Sequence, residues 1–434
     1  MGVRRVLAGV AATVLVAGLA ACGGGGGTPE KTTGGAQELT GRGPITWAIG
    51  KDSTGTYQDI IAAWNAKHPD EKVSLAEQPS DADATRNQLV QNAEIESTEY
   101  DVLGLDVTWA TEFAAKRYVV ELPKSQFDAS PYLPSTVKTG SYRGRLYAAP
   151  LFTGAGFLYH RTDLLKRAGI TDPPKTWAEM RSACAKVLKL PAAKGVSCYT
   201  GQHKQYEGLT VNFSEAVYGA GGEVVGSDGK PRLDTPEAKE GLNFLVDGFE
   251  STMIPKVALT YDEEIGRAAY QKGKFLFQRN WPYLWEPLND KEQSVVAGKF
   301  DVAPLPGKDG PGTSMLGGTD LAISSFSEHK RSALDFITYL TSTEVQKTFA
   351  TKGALPPTRT ALYTDDDLKQ KLPYLEQLKV AVDHAQPRPQ VINYAGVSAA
   401  ISDAAYAAED GSKTPDQALG DLQQELTKLT KNQP

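Results

Sequence analysis

The acidic run Asp262, Glu263 and Glu264 could supply a catalytic carboxylate of the kind that hydrolyses glycosidic bonds. Such hydrolysis requires a second carboxylate at a defined distance, and a sequence does not show that distance. The Gly-x-Ser-x-Gly elbow, the Gly-x-x-x-x-Gly-Lys-Ser/Thr loop, the His-Glu-x-x-His pair and Cys-x-x-Cys are missing from the sequence. The five histidines are scattered, so we predict no metal site and no cofactor. The residue patterns therefore argue against an enzyme.

The N-terminal segment has the pattern of an export signal. Arg4 and Arg5 precede an apolar stretch of about 12 residues, shorter than the ~20 that span a bilayer. Small residues then lead to Cys22, which five glycines follow, and the order Leu-Ala-Ala-Cys resembles the bacterial lipobox. We predict a lipoprotein signal peptide over residues 1–21, lipid attachment at Cys22 and a flexible Gly-rich tether over 22–42. An ordinary signal peptide with a chance cysteine is the alternative.

The other two cysteines, Cys184 and Cys198, stand 14 positions apart in a chain that we expect to be exported to an oxidising compartment. The first lies in the predicted helix TWAEMRSACAKVL and the second in the strand-like segment GVSCYT. We predict a structural disulfide between them, with two unpaired buried thiols as the alternative.

Length and composition describe a soluble body built from two lobes. The 434 residues exceed what one hydrophobic core usually serves. Hydrophobic residues make up 40% and charged residues 23%, as in ordinary soluble proteins. The formal net charge of −6 argues against nucleic acid as a partner, because that binding depends on Lys and Arg neutralising phosphates. No other apolar run after the N-terminal segment approaches membrane-spanning length, so only the lipid would hold the body to a membrane.

Predicted strands and helices alternate from Gly43 onward, which predicts an α/β fold with a mostly parallel sheet. Ligands of such sheets bind beyond the C-terminal ends of the strands, where Asp52 and Asp106 stand. Helix capping for WATEFAA is the alternative role of Asp106. The segment PLFTGAG suits a crossing between lobes, and residues 329–353 predict one long helix. Thr414 is the predicted N-cap of the last helix.

Several segments together resemble the sugar-binding lipoproteins of bacterial ABC importers, in the branch that captures trehalose, maltose and related α-glucosides. They cover nearly all of Gly43 to Leu429 in family order, and they are YDVLGLDVTWATEFA, GRLYAAPLFTGAGFLYHRTDLLKRAG, PPKTWAEM, QYEGLTVNFSEAV, FQRNWPY, LGGTDLAISSFSEHKRSALDFITYLTS, LPPTRTALY and TPDQAL. The resemblance implies the two-lobed periplasmic-binding-protein fold of type II, with a ligand cleft between lobes joined by hinge strands. It places residues 43–150 and 317–359 in lobe 1 and residues 151–316 and 360–434 in lobe 2, with GGTDLAIS as the return crossing.

The resemblance also implies a site that binds sugar hydroxyls through polar groups and sugar rings through aromatic faces. Asp106 and Glu263 match family carboxylates, with Glu264 as the register alternative to Glu263. Trp281 and Tyr283 are the stacking candidates, whereas Trp285 is predicted to pack in the core. The alternatives are an exposed helix face for the glutamates and core packing for the two aromatic residues.

Further expected ligand-binding residues come from the hinge and from the far end of the chain. Arg388 resembles a family arginine that reaches the sugar, with a surface ion pair as its alternative. Gly318, beside Gly317, would bring backbone close to the ligand, with ordinary turn geometry as the alternative. Thr319 stands where relatives often carry tryptophan, and Gly154 stands where many carry aspartate or asparagine, so the ligand need not be trehalose. The weaker candidates, which could simply be solvated, are Asp52 and Arg86.

These features predict a lipid-anchored, non-catalytic sugar receptor on the extracytoplasmic face of the cell membrane. It would be a monomer that delivers trehalose or a related α-gluco-oligosaccharide to the permease subunits of an ABC importer. An exported glycoside-processing enzyme, using Glu263 or Glu264 with Asp106, is one alternative. The other is the same receptor fold for a non-sugar ligand such as a peptide, a polyamine or a metal chelate.

Overall fold

The computed structural model describes residues 38–51, 54–79, 81–226 and 228–431. The predicted signal peptide, Cys22, most of the tether and Asp52 lie outside the described residues. The described strands are, in chain order, β1 Ile45–Gly50, β2 Val73–Gln78, β3 Val102–Asp106, β4 Ser141–Tyr142, β5 Arg145–Leu146, β6 Ala148–Ala155, β7 Phe157–His160, β8 Ser197–Thr200, β9 Phe275–Asn280, β10 Asp301–Ala303 and β11 Leu316–Ile323.

The helices pack around these strands and account for most of the regular structure. They are, in chain order, α1 Thr56–Lys67, α2 Ala82–Glu94, α3 Ala110–Ala115, α4 Pro134–Thr139, α5 Thr162–Arg167, α6 Trp177–Val187, α7 Glu207–Gly219, α8 Pro236–Glu250, α9 Glu263–Gln271, α10 Trp285–Asn289, α11 Lys330–Leu340, α12 Thr343–Gly353, α13 Asp366–Lys371, α14 Leu375–His384, α15 Tyr394–Glu409 and α16 Pro415–Thr430. No helix in these described ranges is long and apolar enough to cross a membrane.

Local capping explains where two of these helices begin. The Thr414 side chain accepts a hydrogen bond from the Gln417 backbone N–H, which confirms the predicted start of α16. The prediction of one long helix over residues 329–353 is wrong, because α11 ends at Leu340 and α12 begins at Thr343. Ser342 stands between them and accepts from the Val345 backbone N–H, so a serine that could have continued the helix starts a new one.

The first sheet has the strand order β2-β1-β3-β11-β6. β1 runs parallel to β2 and β3, whereas β11 is antiparallel to β3 and β6. Side chains alternate between two cores along β1: Trp47 joins the cluster packed under α11 and α12, and Ala48 joins the cluster packed under α2 and α3. The first sheet is therefore covered by helices on both faces, as the alternating sequence predicts.

The second sheet has the order β10-β7-β9-β8, with β8 parallel to β9 and the other pairs antiparallel. Leu158 of β7 packs on one face, and its neighbours Phe157 and Tyr159 pack on the other. Cys184 on α6 is joined to Cys198 on β8 by a disulfide, with the two Cα atoms 5.4 Å apart. The two helix-covered sheets confirm the predicted α/β class. The prediction of a mostly parallel sheet is wrong, because three of the described strand pairs in these two sheets are parallel and four are antiparallel, the antiparallel ones all involving β7 or β11 beside the crossings.

The chain passes between the sheets at Gly156, because β6 belongs to the first sheet and β7 to the second. This is the crossing predicted at PLFTGAG. The chain returns between β10 and β11, next to the predicted return segment GGTDLAIS. The two crossings contact each other just after β6, where the Gly156 backbone N–H in the first crossing donates to Ser314 Oγ in the return crossing. The residue limits given above for the two lobes stay a prediction.

Candidate functional site

A cavity of about 230 Å³ lies where elements of the two sheets meet. It is bordered by the end of β3, by β6 and β11, by the first turns of α7 and α9, and by the segment after β9. The predicted site residues in its lining are Asp106, Gly154, Glu263, Trp281, Tyr283, Gly318 and Arg388. The other described lining residues are Ala82, Phe152, Thr153, Tyr206, Glu207, Gly208, Val211, Pro282, Gly317, Leu355 and Pro356.

Arg388 forms the polar centre of this cavity. Its Nη2 donates to both carboxylate oxygens of Asp106, at 2.9 and 3.1 Å, and its Nη1 donates to Glu207. Asp106 ends a strand of the first sheet and Glu207 begins α7, so the guanidinium bridges the two sides of the cavity. Arg388 Nε is buried and finds no hydrogen-bond partner among the described residues.

Asp106 is already engaged by its own turn as well as by Arg388. Its Oδ1 accepts from the Thr108 backbone N–H at 3.0 Å and from Thr108 Oγ1 at 2.8 Å. This is a local turn contact, and the residue that precedes α3 is Trp109, whose side chain makes no cap. Asp106 is therefore held at the cavity edge, because the hydrogen bonds from Arg388 and Thr108 fix the orientation of its carboxylate.

Glu207 is the most enclosed carboxyl of the site. Besides the Arg388 guanidinium, the hydroxyls of Tyr394 and Ser398 donate to it. Burial raises the pKa of the Glu207 carboxyl, and the charge of Arg388 opposes that rise. The carboxylate thus anchors Arg388 from the side of the second sheet.

Trp281 follows directly on β9 and presents its indole to the cavity. Asn280 Oδ1 accepts from the Trp281 backbone N–H at 2.8 Å, and Pro282 then starts a short 3₁₀ turn. The guanidinium carbon of Arg279 lies 4.0 Å from the centroid of the indole. A Cβ on Gly317 would approach the indole to 2.7 Å, so a glycine there gives the ring its place. The ring is suited to stack on an apolar ligand face.

Tyr283 and Trp285 differ in what they contact. Tyr283 lines the cavity, and its hydroxyl donates to Glu264 Oε1 at 2.6 Å. Burial raises the pKa of the Tyr283 hydroxyl, which therefore stays a donor at neutral pH. Trp285 instead packs between Phe300 and Tyr374, with ring centroids 5.2 and 4.9 Å away. This is the core packing that the sequence predicts for Trp285.

Glu263, rather than Glu264, lines the cavity. The Tyr206 hydroxyl donates to its carboxylate, and burial raises the pKa of Glu263. Glu264 turns away on the next position of α9 and bonds to Arg267, with an N–O distance of 2.7 Å. The helix phase therefore decides the register that the sequence left open.

The hinge glycines differ in how much room they leave. Gly318 has φ of 137°, and a Cβ there would lie 2.3 Å from the carbonyl oxygen of Phe152. Only glycine fits that position without moving the backbone. At Gly154 the nearest atoms to a Cβ would be those of Pro282, at 3.4 and 3.5 Å. A side chain would fit at Gly154, so its absence enlarges the cavity.

Two predicted residues are not among the described residues that line the cavity. Arg86 is taken up by Glu112, with N–O distances of 2.6 to 2.9 Å. Thr319 is half-buried on β11 and pairs with Asp106 in the sheet register. Thr319 thus adjoins the cavity without lining it, whereas Arg86 is engaged by Glu112, and Asp52 lies outside the described residues.

Tyr206 and Glu207 were not identified from the sequence as site residues, although both lie in the cavity wall. Their segment, QYEGLTVNFSEAV, was recognised only as part of the family resemblance, and no site role was assigned to either residue. The sequence did contain a signal for them. Tyr206 and Glu207 stand at the start of a helix, and polar side chains at a helix start are well placed to meet a ligand when that helix end borders a cleft. In the described part of the chain, no group of three or more His, Cys, Asp or Glu side chains could hold a metal ion.

Two helix-covered sheets, joined by crossing strands and enclosing a polar and aromatic cavity, define a two-lobed binding protein. The family model for bacterial extracellular solute-binding proteins matches residues 50–347, and the chain belongs to this family. This confirms the predicted family and the type II periplasmic-binding-protein fold. Proteins of the family bind solutes, which agrees at that level with the expectation of a non-catalytic protein.

The relatives include proteins of transport systems and sugar-bound structures. A protein of Deinococcus radiodurans named a probable ABC transporter-binding protein is 34% identical over 399 residues, which cover 89% of this chain and 94% of the relative. The structure of maltose-bound MalE3 of T. maritima has a TM-score of 0.85 and 35% identity, covering 89% of this chain and 99% of that one. The GacH receptor of Streptomyces glaucescens, solved with acarbose, has a TM-score of 0.81 and 24% identity, covering 91% and 100%; at that identity it supports the fold.

Proposed function

We propose that this chain is the extracytoplasmic receptor of an ABC importer for an α-linked gluco-oligosaccharide, such as maltose or trehalose. The observation that carries the proposal is the pairing, in one cavity, of the indole of Trp281 with the carboxyl groups of Asp106 and Glu263. An indole face suits the C–H face of a pyranose, and carboxyl oxygens accept hydrogen bonds from sugar hydroxyls. The sugar-bound relative with 35% identity supports the choice of sugar.

The remaining cavity groups would bind sugar hydroxyls. Glu263 would accept from hydroxyls on the side of the second sheet, with Tyr206 fixing its carboxylate. Asp106 would accept from the other side, and Gly154 and Gly318 would let the sugar approach the hinge backbone. The open space at Gly154 supports a ligand that differs in linkage or length from trehalose.

The glycoside-processing alternative receives no support from the family match, because the family model that matches residues 50–347 describes solute-binding proteins.

The proposal extends to the membrane and to the permease. Lipid on Cys22 and a Gly-rich tether would hold the receptor at the outer face of the cell membrane, as a monomer. Sugar bound between lobes would favour the closed form, because only that form makes contacts from both sides. The closed form would then dock on the permease subunits.

Thermal unfolding of residues 23–434 with a ligand panel tests the proposal. The panel is trehalose, maltose, maltotriose, sucrose, a galactoside and a polyamine. A ligand at 100 times its dissociation constant should stabilise the fold by about 2.7 kcal/mol, which raises the unfolding midpoint by a few degrees. A rise of the midpoint with an α-glucoside supports the proposal. The proposal is refuted if only the polyamine raises the midpoint, or if none of the sugars does.

The matched controls are two tryptophan variants. Trp281→Ala should weaken sugar binding and so reduce the sugar-induced rise at a fixed sugar concentration, because its indole lines the cavity. Trp285→Ala should lower the midpoint without sugar and leave the rise intact, since this ring packs in the core. Chromatography of the incubated sugars would show product if the protein were instead an enzyme.

A further inference from the structure

Trp281 is supported from behind by a side chain that does not itself line the cavity. The Arg279 guanidinium carbon lies 4.0 Å from the indole centroid, and Arg279 is 1% exposed. A guanidinium at this distance makes a cation–π contact with the ring. One region of the indole is therefore covered by Arg279, while the ring still borders the cavity.

Arg279 is itself fixed by three side-chain hydrogen bonds. Its Nε and Nη2 donate to the two carboxylate oxygens of Glu215, at 2.7 and 2.6 Å, and its Nη1 donates to Gln202 Oε1 at 3.0 Å. A Cβ on Gly156 would come within 2.7 Å of the guanidinium, so the crossing glycine provides space for it. The orientation of the guanidinium plane of Arg279 is thus fixed by its paired hydrogen bonds to Glu215 and by the space at Gly156, independently of any ligand.

Glu215 connects this support to the return crossing. Its Oε1 also accepts from Ser314 Oγ at 2.9 Å and from the Met315 backbone N–H at 3.1 Å. Ser314 Oγ accepts in turn from the Gly156 backbone N–H. The indole therefore rests on a buried ion pair that is hydrogen-bonded to the return crossing and connected through Ser314 Oγ to the first crossing at Gly156.

We propose that Arg279, oriented by Glu215, is the positioning residue that holds the Trp281 indole in its ligand-stacking orientation. The inference rests on the proposed function, because it assigns the stacking face of the same site. A ring that is already oriented loses little freedom when a ligand binds, so the support raises affinity without touching the ligand. Without it, the indole would have to be ordered by the sugar.

Two sets of changes test the role of Arg279. Arg279→Lys keeps a positive charge for Glu215 but loses the planar fork, and Arg279→Met with Glu215→Gln removes both charges. Each should weaken sugar binding, measured by titration calorimetry, by about tenfold. In a Trp281→Ala background the same changes should cause no further loss. Affinity that stays unchanged, or a loss of equal size in both backgrounds, would overturn the proposal.

A spectroscopic measurement without ligand provides the second readout. The near-ultraviolet circular dichroism band that Trp281→Ala removes should shrink in both Arg279 variants, because the ring loses its fixed orientation. An unchanged band overturns the proposal. If the wild type binds no sugar, the proposed function fails, while this band still decides the role of Arg279. If neither variant folds, Arg279 holds the core rather than the ring, and the proposal is also overturned.

Arg161→Lys is the matched control. Arg161 is a buried arginine with a comparable fork, since its Nε and Nη2 donate to the two oxygens of Asp163 at 2.7 Å each. It is not among the described residues that line the cavity. This change should lower the unfolding midpoint and leave both the sugar affinity and the Trp281 band unchanged.

Discussion

Replacing Arg388 by methionine tests the charge bridge across the cavity. Arg388 is 3% exposed and serves two carboxylates, and breaking a buried ion pair costs about 3–5 kcal/mol because a charge stays buried without compensation. Asp106 retains some solvent contact and the two donors of Thr108, so it should contribute little. Glu207 is enclosed but keeps two hydroxyl donors. We therefore expect a loss near the lower end, about 3 kcal/mol at neutral pH.

The loss should depend on pH with a definite sign. Burial already raises the pKa of Glu207, and removing the cation raises it further. Between its unfolded and folded pKa values, the folded state binds more protons than the unfolded state, so stability falls as pH rises. Below about pH 4.3 the carboxyl is protonated in both states. The cost of Arg388→Met should therefore be greatest above neutrality and should shrink as the pH is lowered.

Urea unfolding of the wild type, Arg388→Met, Glu207→Gln and the double variant, from about pH 5 to pH 8, would measure this. The double variant should recover much of the loss, because no uncompensated charge then remains at position 207. Arg232→Met is the control, since Arg232 and Glu223 form a solvent-exposed pair worth about 0–1 kcal/mol. A cost that is constant across pH, with no recovery in the double variant, would refute the reasoning.

Three further changes have defined expectations. Gly318→Ala should lower the free energy of unfolding by about 3 kcal/mol, because its φ is 137° and a Cβ would lie 2.3 Å from the carbonyl oxygen of Phe152. Gly154→Ala is the control, and equal thermal midpoints for the two variants would contradict this expectation. Replacing both Cys184 and Cys198 by serine should lower the free energy of unfolding by about 3 kcal/mol, the value expected for a disulfide that closes a loop of ~15 residues. An unchanged urea midpoint would contradict a stabilising role of the disulfide. Burial raises the pKa of Asp320 to about 8, so stability should fall as pH rises from about 4 to 8. Asp320→Asn should make this fall smaller, with the buried carboxyls of Glu207 and Glu263 contributing the remainder, and a pH slope equal to that of the wild type would exclude the assignment.

Local patterns in the sequence were sufficient for the α/β class and for the first crossing, whereas the return crossing was predicted only from the family resemblance. Alternating strands and helices predict two helix-covered sheets, because each segment must bury its own apolar face. The glycines and small residues of PLFTGAG predict the passage at Gly156, and Thr414 predicts the start of α16. The break at Ser342 was missed because its capping role competes with the strong helical pattern on both sides. These features depend on residues near one another in the chain.

Part of the site was also accessible from local position. Asp106 stands at a strand end, and strand ends of an α/β sheet converge on one edge, so its place at the cavity follows from chain order. Trp281 also follows a buried strand, but its role as a stacking residue was predicted only from the family resemblance. The choice between Glu263 and Glu264 required the helix phase, because adjacent helical positions point about 100° apart.

The tertiary structure alone decided the charge pairs. Arg388 meets Glu207 across 181 positions and Asp106 across 282, and Arg279 meets Glu215 across 64. No periodicity or capping rule relates such positions, because their distance depends on how two sheets and their crossings pack. The sequence by itself determined a two-lobed α/β binding protein with a strand-edge carboxylate and an aromatic partner. Folding decided which cation joins the lobes and which arginine lies behind the indole, because burial makes each charge take the partner that packing brings within reach.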